Sequence, residues 1–284
     1  MKRLFIVSFL WGFLSLHLAF AQGSDTLRLK PLVKGLAQAT SLYITPSGKL
    51  YITEATKNRI LILDQNGQRL DSLGNLGSGN YQFDTPVDID ATNGLKVYVA
   101  DYNNHRIQVF DRREQYLSTI RNDGHFGAGD VYDPAKLCVN NRGQLYFFDD
   151  NSGYIIMYNA RGQFDQVFNL LSNEIINTPS DMIASDDRVY VSDPKGGVID
   201  IISNTGQFLG FIDGTKKVGA IAINDRYLWA CMPNYLKIFE KRGALIEKFV
   251  ILPNIKPIGL SIHQDRIFVL TADRLYRIEK PNLR

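Results

Sequence analysis

Short runs of β-branched and aromatic residues recur along the chain, and turn residues separate them. The most regular copy reads KVYVAD at 96–101. Runs of this composition, bounded by Gly, Asn, Asp and Pro, predict β-strands. After the first 21 residues no window has the period of a helix. Six copies carry an aromatic anchor, at intervals of 39 to 48 residues: Tyr51, Tyr98, Tyr146, Tyr190, Trp229 and Phe268.

Each complete copy contains four such runs in the same order. An apolar run such as 87–90 precedes the anchor run, and a third run such as 106–110 and a fourth such as 208–212 follow it. Four antiparallel strands form a blade, and a blade covers both of its faces only when neighbouring blades pack around an axis. The sequence therefore predicts an all-β fold, a six-bladed β-propeller that forms one domain over residues 22–284.

The sixth copy ends before a fourth strand is complete. A strand-like run that belongs to no complete copy, TLRLKPLV at 26–33, lies at the other end of the chain. Pairing of 27–33 with the third strand of the last blade, near 275–278, would close the ring and cover an edge that is otherwise unpaired. We therefore predict that an N-terminal strand completes the last blade.

The first residues predict export. Lys2 and Arg3 precede an apolar stretch from Leu4 to Phe20, and Ala19 and Ala21 supply the small residues of a cleavage site. This pattern is typical of a secretory signal peptide over residues 1–21. A membrane anchor is the alternative, because the stretch approaches the length of a spanning helix. Cleavage predicts a periplasmic or extracellular product that does not span the membrane.

Charge and cysteine content narrow the class of partner and of stabilisation. Loss of Lys2 and Arg3 with the signal peptide lowers the formal net charge from +3 to about +1. A field that weak gives no basis for nucleic-acid binding, which requires neutralised phosphates. The two cysteines, Cys138 and Cys231, lie a blade apart, so we expect two reduced, buried side chains rather than a disulfide.

Residues 97–111 read VYVADYNNHRIQVFD and resemble the NHL repeat. The Gly-rich segment 73–86 is similar to the turn that this family places before its inner strand. The resemblance implies the propeller fold, but propellers of this kind serve in binding, scaffolding and catalysis alike. Propeller lyases similar to this family hold a metal on several histidines. His105, His125 and His263 lie in different structural roles, which disfavours such a centre.

The resemblance also places the start of each inner strand beside the central channel. The equivalent positions are Ser41, Asp88, Lys136, Asp181, Gly219 and Gly259. Asp88, Lys136 and Asp181 are predicted to form a polar half-ring that binds a ligand at one mouth of the channel. The two glycines would leave the opposite half open. The alternative is a solvated channel mouth without a ligand.

A second set of acidic residues closes the second strands. Two of them face a basic residue across a short turn, which predicts structural pairs between Glu54 and Arg59 and between Asp101 and Arg106. Asp149 and Asp193 have no basic residue across the turn. They are candidates for a ligand or are solvated.

These observations favour a non-catalytic propeller that binds or scaffolds a protein or glycan partner, with no catalytic residue and no cofactor. The enzyme alternative is a calcium-dependent lactonase or ester hydrolase, because calcium needs only oxygen ligands and Asp88 and Asp181 supply two. A third possibility, an architectural subunit of an envelope assembly, would require a large apolar surface patch.

Overall fold

The computed structural model describes residues 26–92, 94–122, 124, 131–168, 179–185 and 187–281. The predicted signal peptide, 1–21, and His125 lie outside these residues. Within them the chain forms strands and two single-turn 3-10 helices, Ala55–Lys57 and Tyr102–Asn104. None of the helices described is long and apolar enough to cross a bilayer.

The strands form six sheets. The described part of the chain begins with β1 (Thr26–Arg28) and β2 (Lys30–Lys34). Blade 1 holds β3 (Ala39–Ile44), β4 (Leu50–Glu54), β5 (Arg59–Leu63) and β6 (Arg69–Leu73). Blade 2 holds β7 (Pro86–Asp90), β8 (Lys96–Asp101), β9 (Arg106–Asp111) and β10 (Tyr116–Ile120). Blade 3 holds β11 (Pro134–Val139), β12 (Leu145–Asp149), β13 (Tyr154–Tyr158) and β14 (Phe164–Phe168).

The second half of the chain repeats this order. Blade 4 holds β15 (Met182–Ala184), β16 (Arg188–Asp193), β17 (Val198–Ser203) and β18 (Phe208–Ile212). Blade 5 holds β19 (Ala220–Ile223), β20 (Tyr227–Met232), β21 (Tyr235–Glu240) and β22 (Leu245–Leu252). Blade 6 holds β23 (Gly259–His263), β24 (Arg266–Leu270) and β25 (Arg274–Glu279). The predicted six-bladed propeller is confirmed.

The anchors lie at equivalent positions of the second strands and are buried between blades. Tyr98 of blade 2 packs with Leu137 and Leu145 of blade 3. Trp229 of blade 5 packs in the same way with Leu260 and Ile267 of blade 6. Burial of each large side chain contributes roughly 1.5–3 kcal/mol. The core is therefore a ring of inter-blade layers, which explains why the repeat pattern is strongest at these positions.

The N-terminal segment closes the ring, as predicted. β2 pairs antiparallel with β25, with Pro31 opposite Tyr276 and Val33 opposite Leu275. One detail of the prediction is wrong, because residues 27 and 28 do not pair with the last blade. β1 instead pairs in parallel with β22, which is eight residues long and extends past the other fourth strands. The segment thus joins blade 5 to blade 6.

Candidate functional site

The six inner strands, β3, β7, β11, β15, β19 and β23, surround the channel, so positions in the same register form a ring. Asp88 lies opposite Ala100, two residues after the Tyr98 anchor, and Lys136 lies opposite Phe148, two residues after Tyr146. In blade 5 the residue two after the anchor pairs with Ala220. The ring position of blade 5 is therefore Ala220, and the assignment of Gly219 is wrong by one residue.

Asp88 connects blade 2 to blade 3 through its carboxylate. The backbone N–H of Ile89 donates to Oδ1 at 3.0 Å, and the N–H of Leu137, on the next inner strand, donates to Oδ2 at 2.8 Å. An inner strand has an edge that no neighbouring strand pairs, and its buried N–H groups need acceptors. Asp88 supplies one of them.

Asp181 repeats this arrangement between blades 4 and 5. The N–H of Met182 donates to Oδ1 at 2.9 Å, and the N–H of Ile221 donates to Oδ2 at 2.8 Å. Asp90 adds a second connection between blades 2 and 3, since it accepts from the N–H of Val139 at 3.0 Å. These three carboxylates connect neighbouring blades. The sequence analysis proposed a ligand-binding role for Asp88 and Asp181 and did not single out Asp90.

Burial changes the titration of these groups. It raises the pKa of Asp181 to about 7, an effect that Lys136 opposes and Asp88 reinforces. Burial likewise raises the pKa of Asp90 to about 7. Because Asp181 responds to both Asp88 and Lys136, the structure brings the three residues of the predicted half-ring into one electrostatic cluster.

The glycines do not open the other side of the channel. A Cβ built on Gly219 would lie 2.0 Å from the Pro257 carbonyl oxygen, so backbone occupies the space that a side chain would need. A Cβ on Gly259 would lie 3.0 Å from the Cβ of Leu42. Both glycines permit close packing, and the expected open half is absent at these two positions.

The acidic residues that close the second strands stabilise turns. Asp101 is fully buried, and Arg106 donates to it at 2.7 Å while also donating to the carbonyl groups of Ser78, Gly79 and Gln82. Arg59 donates to Glu54 at 2.6 Å. Both predicted pairs are therefore present.

Asp149 and Asp193 accept hydrogen bonds without an arginine. Asp149 is buried rather than solvated, with the N–H of Asp133 at 2.6 Å from one oxygen and the Ser152 hydroxyl at 2.5 Å from the other. Asp193 is half-buried and accepts from the N–H groups of Lys195 and Gly196, each at 2.9 Å. Neither residue joins the Asp88 cluster in a cavity; a ligand role for them remains a prediction.

The channel itself is narrow. It encloses about 200 Å³, and its wall includes Asp88, Asp90 and Asp181 together with Tyr43 and Thr92. A much larger cavity of about 1090 Å³ lies at the end where the inner strands begin. We call this cavity the bowl. It is lined by one residue near the start of each inner strand and by turns around them: Ala39, Val87, Lys136, Ser180, Val218 and Ile258 mark the six blades.

The bowl carries positive charge that the sequence reasoning found only in part. Lys136 lines it, and so do Lys195, Lys217 and Lys256 from the turns and linkers of blades 4 to 6. In a propeller, the turns that join second to third strands and the linkers that lead into inner strands lie at the same end. The positions of these lysines along the sequence could therefore have indicated that they meet there. Each of the four lysines lies in such an element or at the start of an inner strand.

Calcium does not fit the described residues. No group of three or more His, Cys, Asp or Glu side chains among the described part of the chain is arranged to hold a metal ion. Both oxygens of Asp88 and of Asp181 already accept backbone N–H groups, which leaves these two carboxylates with fewer lone pairs for a cation. We therefore derive no step through calcium.

Comparison with known proteins agrees with the fold. Residues 83–110 match the family model of the NHL repeat. The chain carries an NHL repeat. Together with the six blades, this match confirms the predicted resemblance to NHL-repeat propellers. NHL repeat-containing protein 3 from Homo sapiens is 35% identical over 74 residues, which are 25% of this chain and 21% of that protein. The chain thus spans about a fifth of the length of that relative.

Solved propellers align with nearly the whole NHL-like ring. A streptogramin B lyase superposes with a TM-score of 0.62 and 14% identity, over 90% of this chain and 88% of the lyase. A gluconolactonase from Xanthomonas campestris superposes with a TM-score of 0.68 and 15% identity, over 89% of each chain. At such identities the likeness establishes the fold alone.

Proposed function

We propose that this chain is an exported, non-catalytic propeller that binds a protein or glycan partner in the bowl. The observation that carries the proposal is the contrast between the two cavities. The channel carboxylates are engaged by backbone N–H groups of neighbouring blades, whereas the bowl offers about 1090 Å³ lined by lysine and aliphatic side chains. Export rests on the predicted signal peptide; a mature N-terminus near Gln22 in the secreted product would support it.

Site-specific photo-crosslinking tests the binding site. A photoreactive residue at Lys217, in the bowl, should yield a crosslinked partner in the cell that makes the protein. The same residue at Arg161, in the turn between β13 and β14, should not, because antiparallel strand order puts that turn at the other end of the blade. Equal crosslinking from both positions, or none from Lys217, would refute binding in the bowl.

The names of the structural neighbours supply the competing function. Lactone and ester hydrolysis should be measured with added calcium and with chelator. A binding protein should show no calcium-dependent turnover. It should also show no turnover that is lost in the variants Asp88→Asn and Asp181→Asn. Turnover with that dependence would replace the binding role with a hydrolase and would place a metal on carboxylates that here accept backbone hydrogen bonds.

A further inference from the structure

We infer that the occupant of the bowl is an acidic, extended peptide segment of a protein partner. This inference rests on the proposed function, because it names the chemistry of the ligand that the same cavity would take. Charge, wall composition and size each contribute to the assignment.

The charge of the bowl lining is positive on balance. Among the described residues that line it, Lys136, Lys195, Lys217 and Lys256 are cationic. The lining also contains Arg274 and Asp273, which form an ion pair with each other at 3.0 Å and cancel. A concave site with one sign of charge raises the local concentration of oppositely charged ligands. Carboxylates are therefore the groups that this lining attracts.

The acids beneath the bowl do not offset that charge at its rim. Asp88 and Asp181 line the channel rather than the bowl, and each shares its two oxygens between two backbone N–H groups. Lys217 and Lys256 are exposed and lie in the linkers that lead into blades 5 and 6. An incoming carboxylate thus meets lysine side chains before it meets any carboxylate of the channel.

The wall favours a peptide over a sugar chain. It is built largely from proline and aliphatic side chains, among them Pro194, Pro233, Ile255 and Pro257. Sugar rings stack on aromatic faces, which carry the negative part of the ring quadrupole. Tyr276 is the one aromatic residue of the described lining, and only 4% of it is exposed. Proline and isoleucine instead match the apolar side chains that alternate with acids along an extended peptide.

The size of the bowl fits several residues of such a segment. Cavities for single small ligands enclose roughly 300–1,000 Å³, and this one encloses about 1090 Å³. Positive side chains also lie on separate elements around the bowl, from the start of β11 to the linker before β23. A ligand that reaches more than one lysine at once must carry several carboxylates in an extended arrangement.

The test uses the mature protein and a fluorescein-labelled decapeptide of alternating glutamate and proline, which stays extended because proline favours the polyproline II conformation. Fluorescence anisotropy should show saturable binding, at least tenfold tighter than for the glutamine-proline counterpart. Binding should weaken strongly when salt is raised, because the Debye length falls from about 10 Å at 0.1 M to about 3 Å at 1 M.

Charge reversal locates the site. Lys217→Glu combined with Lys256→Glu should weaken the decapeptide complex by about tenfold or more, since attraction is replaced by repulsion at two positions. The matched control is Arg112→Glu combined with Arg161→Glu, which changes the net charge equally at exposed turns on the other end of blades 2 and 3. The control should bind like the parent, and thermal unfolding should show that both variants are folded.

The outcomes separate this inference from the proposed function. Failure of the decapeptide to saturate the protein at about 1 mM, or equal binding by the lysine variant, overturns the peptide assignment. Binding of an oligogalacturonate in its place, with the same loss on charge reversal, overturns the peptide assignment but keeps a glycan in the bowl. Absence of a crosslinked partner from Lys217 removes the proposed function itself.

Discussion

Blades 1 to 3 and blades 4 to 6 differ in the turns between their second and third strands, at the end of the ring where the bowl lies. The position that closes the second strand is acidic in the first three blades, and Glu54, Asp101 and Asp149 are all buried there. In blades 5 and 6 the equivalent residues are Met232 and Thr271. Buried acids close these turns in blades 1 to 3, and blade 4 keeps an acid, Asp193, with a turn of the same length, whereas the turns after β20 and β24 are shorter.

Blades 1 to 3 therefore follow the repeat pattern most closely, whereas blades 4 to 6 contribute most of the charged side chains of the bowl lining. The family match at 83–110 lies in blades 1 to 3. Three of the four bowl lysines, Lys195, Lys217 and Lys256, lie in blades 4 to 6. Departure from the repeat pattern is therefore the better indicator of the candidate site.

Loss of ring closure should have the largest effect on stability, and it should affect blades 5 and 6 before blades 2 and 3. A variant that lacks residues 22–33 should lose most soluble, folded protein, because the edge of β25 becomes exposed and β22 loses its parallel partner. Hydrogen exchange on any soluble fraction should show blades 5 and 6 unprotected before blades 2 and 3. A variant that lacks only residues 22–25 is the control. Unchanged melting and solubility of the longer deletion would contradict the closure.

Loss of the buried ion pair between Asp101 and Arg106 should have the next largest effect on stability. Arg106→Leu removes the cationic partner of the buried Asp101 carboxylate, which keeps the Asp84 N–H and the Asn104 amide as donors. It also removes the donor to the carbonyl groups of Ser78 and Gly79, so it should lower the free energy of unfolding by about 3–5 kcal/mol. Asp193→Asn, at the equivalent end of β16 in blade 4, should cost about 1 kcal/mol or less because that residue is only half-buried. Denaturant unfolding of the two variants measures the difference. Equal losses would remove the distinction between the halves.

A smaller loss is expected where a linker packs over blade 5. Gly219→Ala places a Cβ against the Pro257 carbonyl oxygen and should cost about 1–3 kcal/mol through displaced backbone. Gly79→Ala is the matched control in the first half, because the nearest atom there belongs to the end of the flexible Gln82 side chain. If Gly219→Ala left the free energy of unfolding unchanged, the linker before β23 would not pack tightly against Gly219.

The connectors between inner strands should make stability depend modestly on pH. The pKa values of Asp90 and Asp181, about 7 in the folded protein, exceed the value near 3.9 of an unfolded aspartate. The folded state therefore binds more protons, and the stability present at low pH is lost as pH rises through about 7. The melting temperature should rise by roughly 2–4 °C per kcal/mol gained between pH 8 and pH 6.

The variant Asp181→Asn tests whether Asp181 causes this dependence of stability on pH. The variant should show a shallower rise in melting temperature over the same pH interval, because one titrating connector has been removed. Asp165→Asn is the control, since this side chain is exposed in the outer strand of blade 3. Identical slopes in the parent and in Asp181→Asn would show that other groups control the titration.

The sequence alone determined the architecture, because each blade repeats a local pattern. Anchors such as Tyr98 and turns such as Asn66-Gly67 identify strands within a few residues, and burial between blades preserves the aromatic position in every copy. The alternating run near the N-terminus also identified the closing strand. The parallel pairing of residues 26–28 with β22 was missed.

The tertiary structure decided the roles of individual side chains, because their partners lie in other blades. The N–H of Leu137, which donates to Asp88, is 49 residues away along the chain, and the N–H of Ile221, which donates to Asp181, is 40 residues away. Gly219 is set against Pro257 by packing rather than by its place in the repeat. The bowl draws on all six blades at once. A repeat pattern specifies what each blade has in common, whereas a site depends on how unlike residues of different blades meet around the axis.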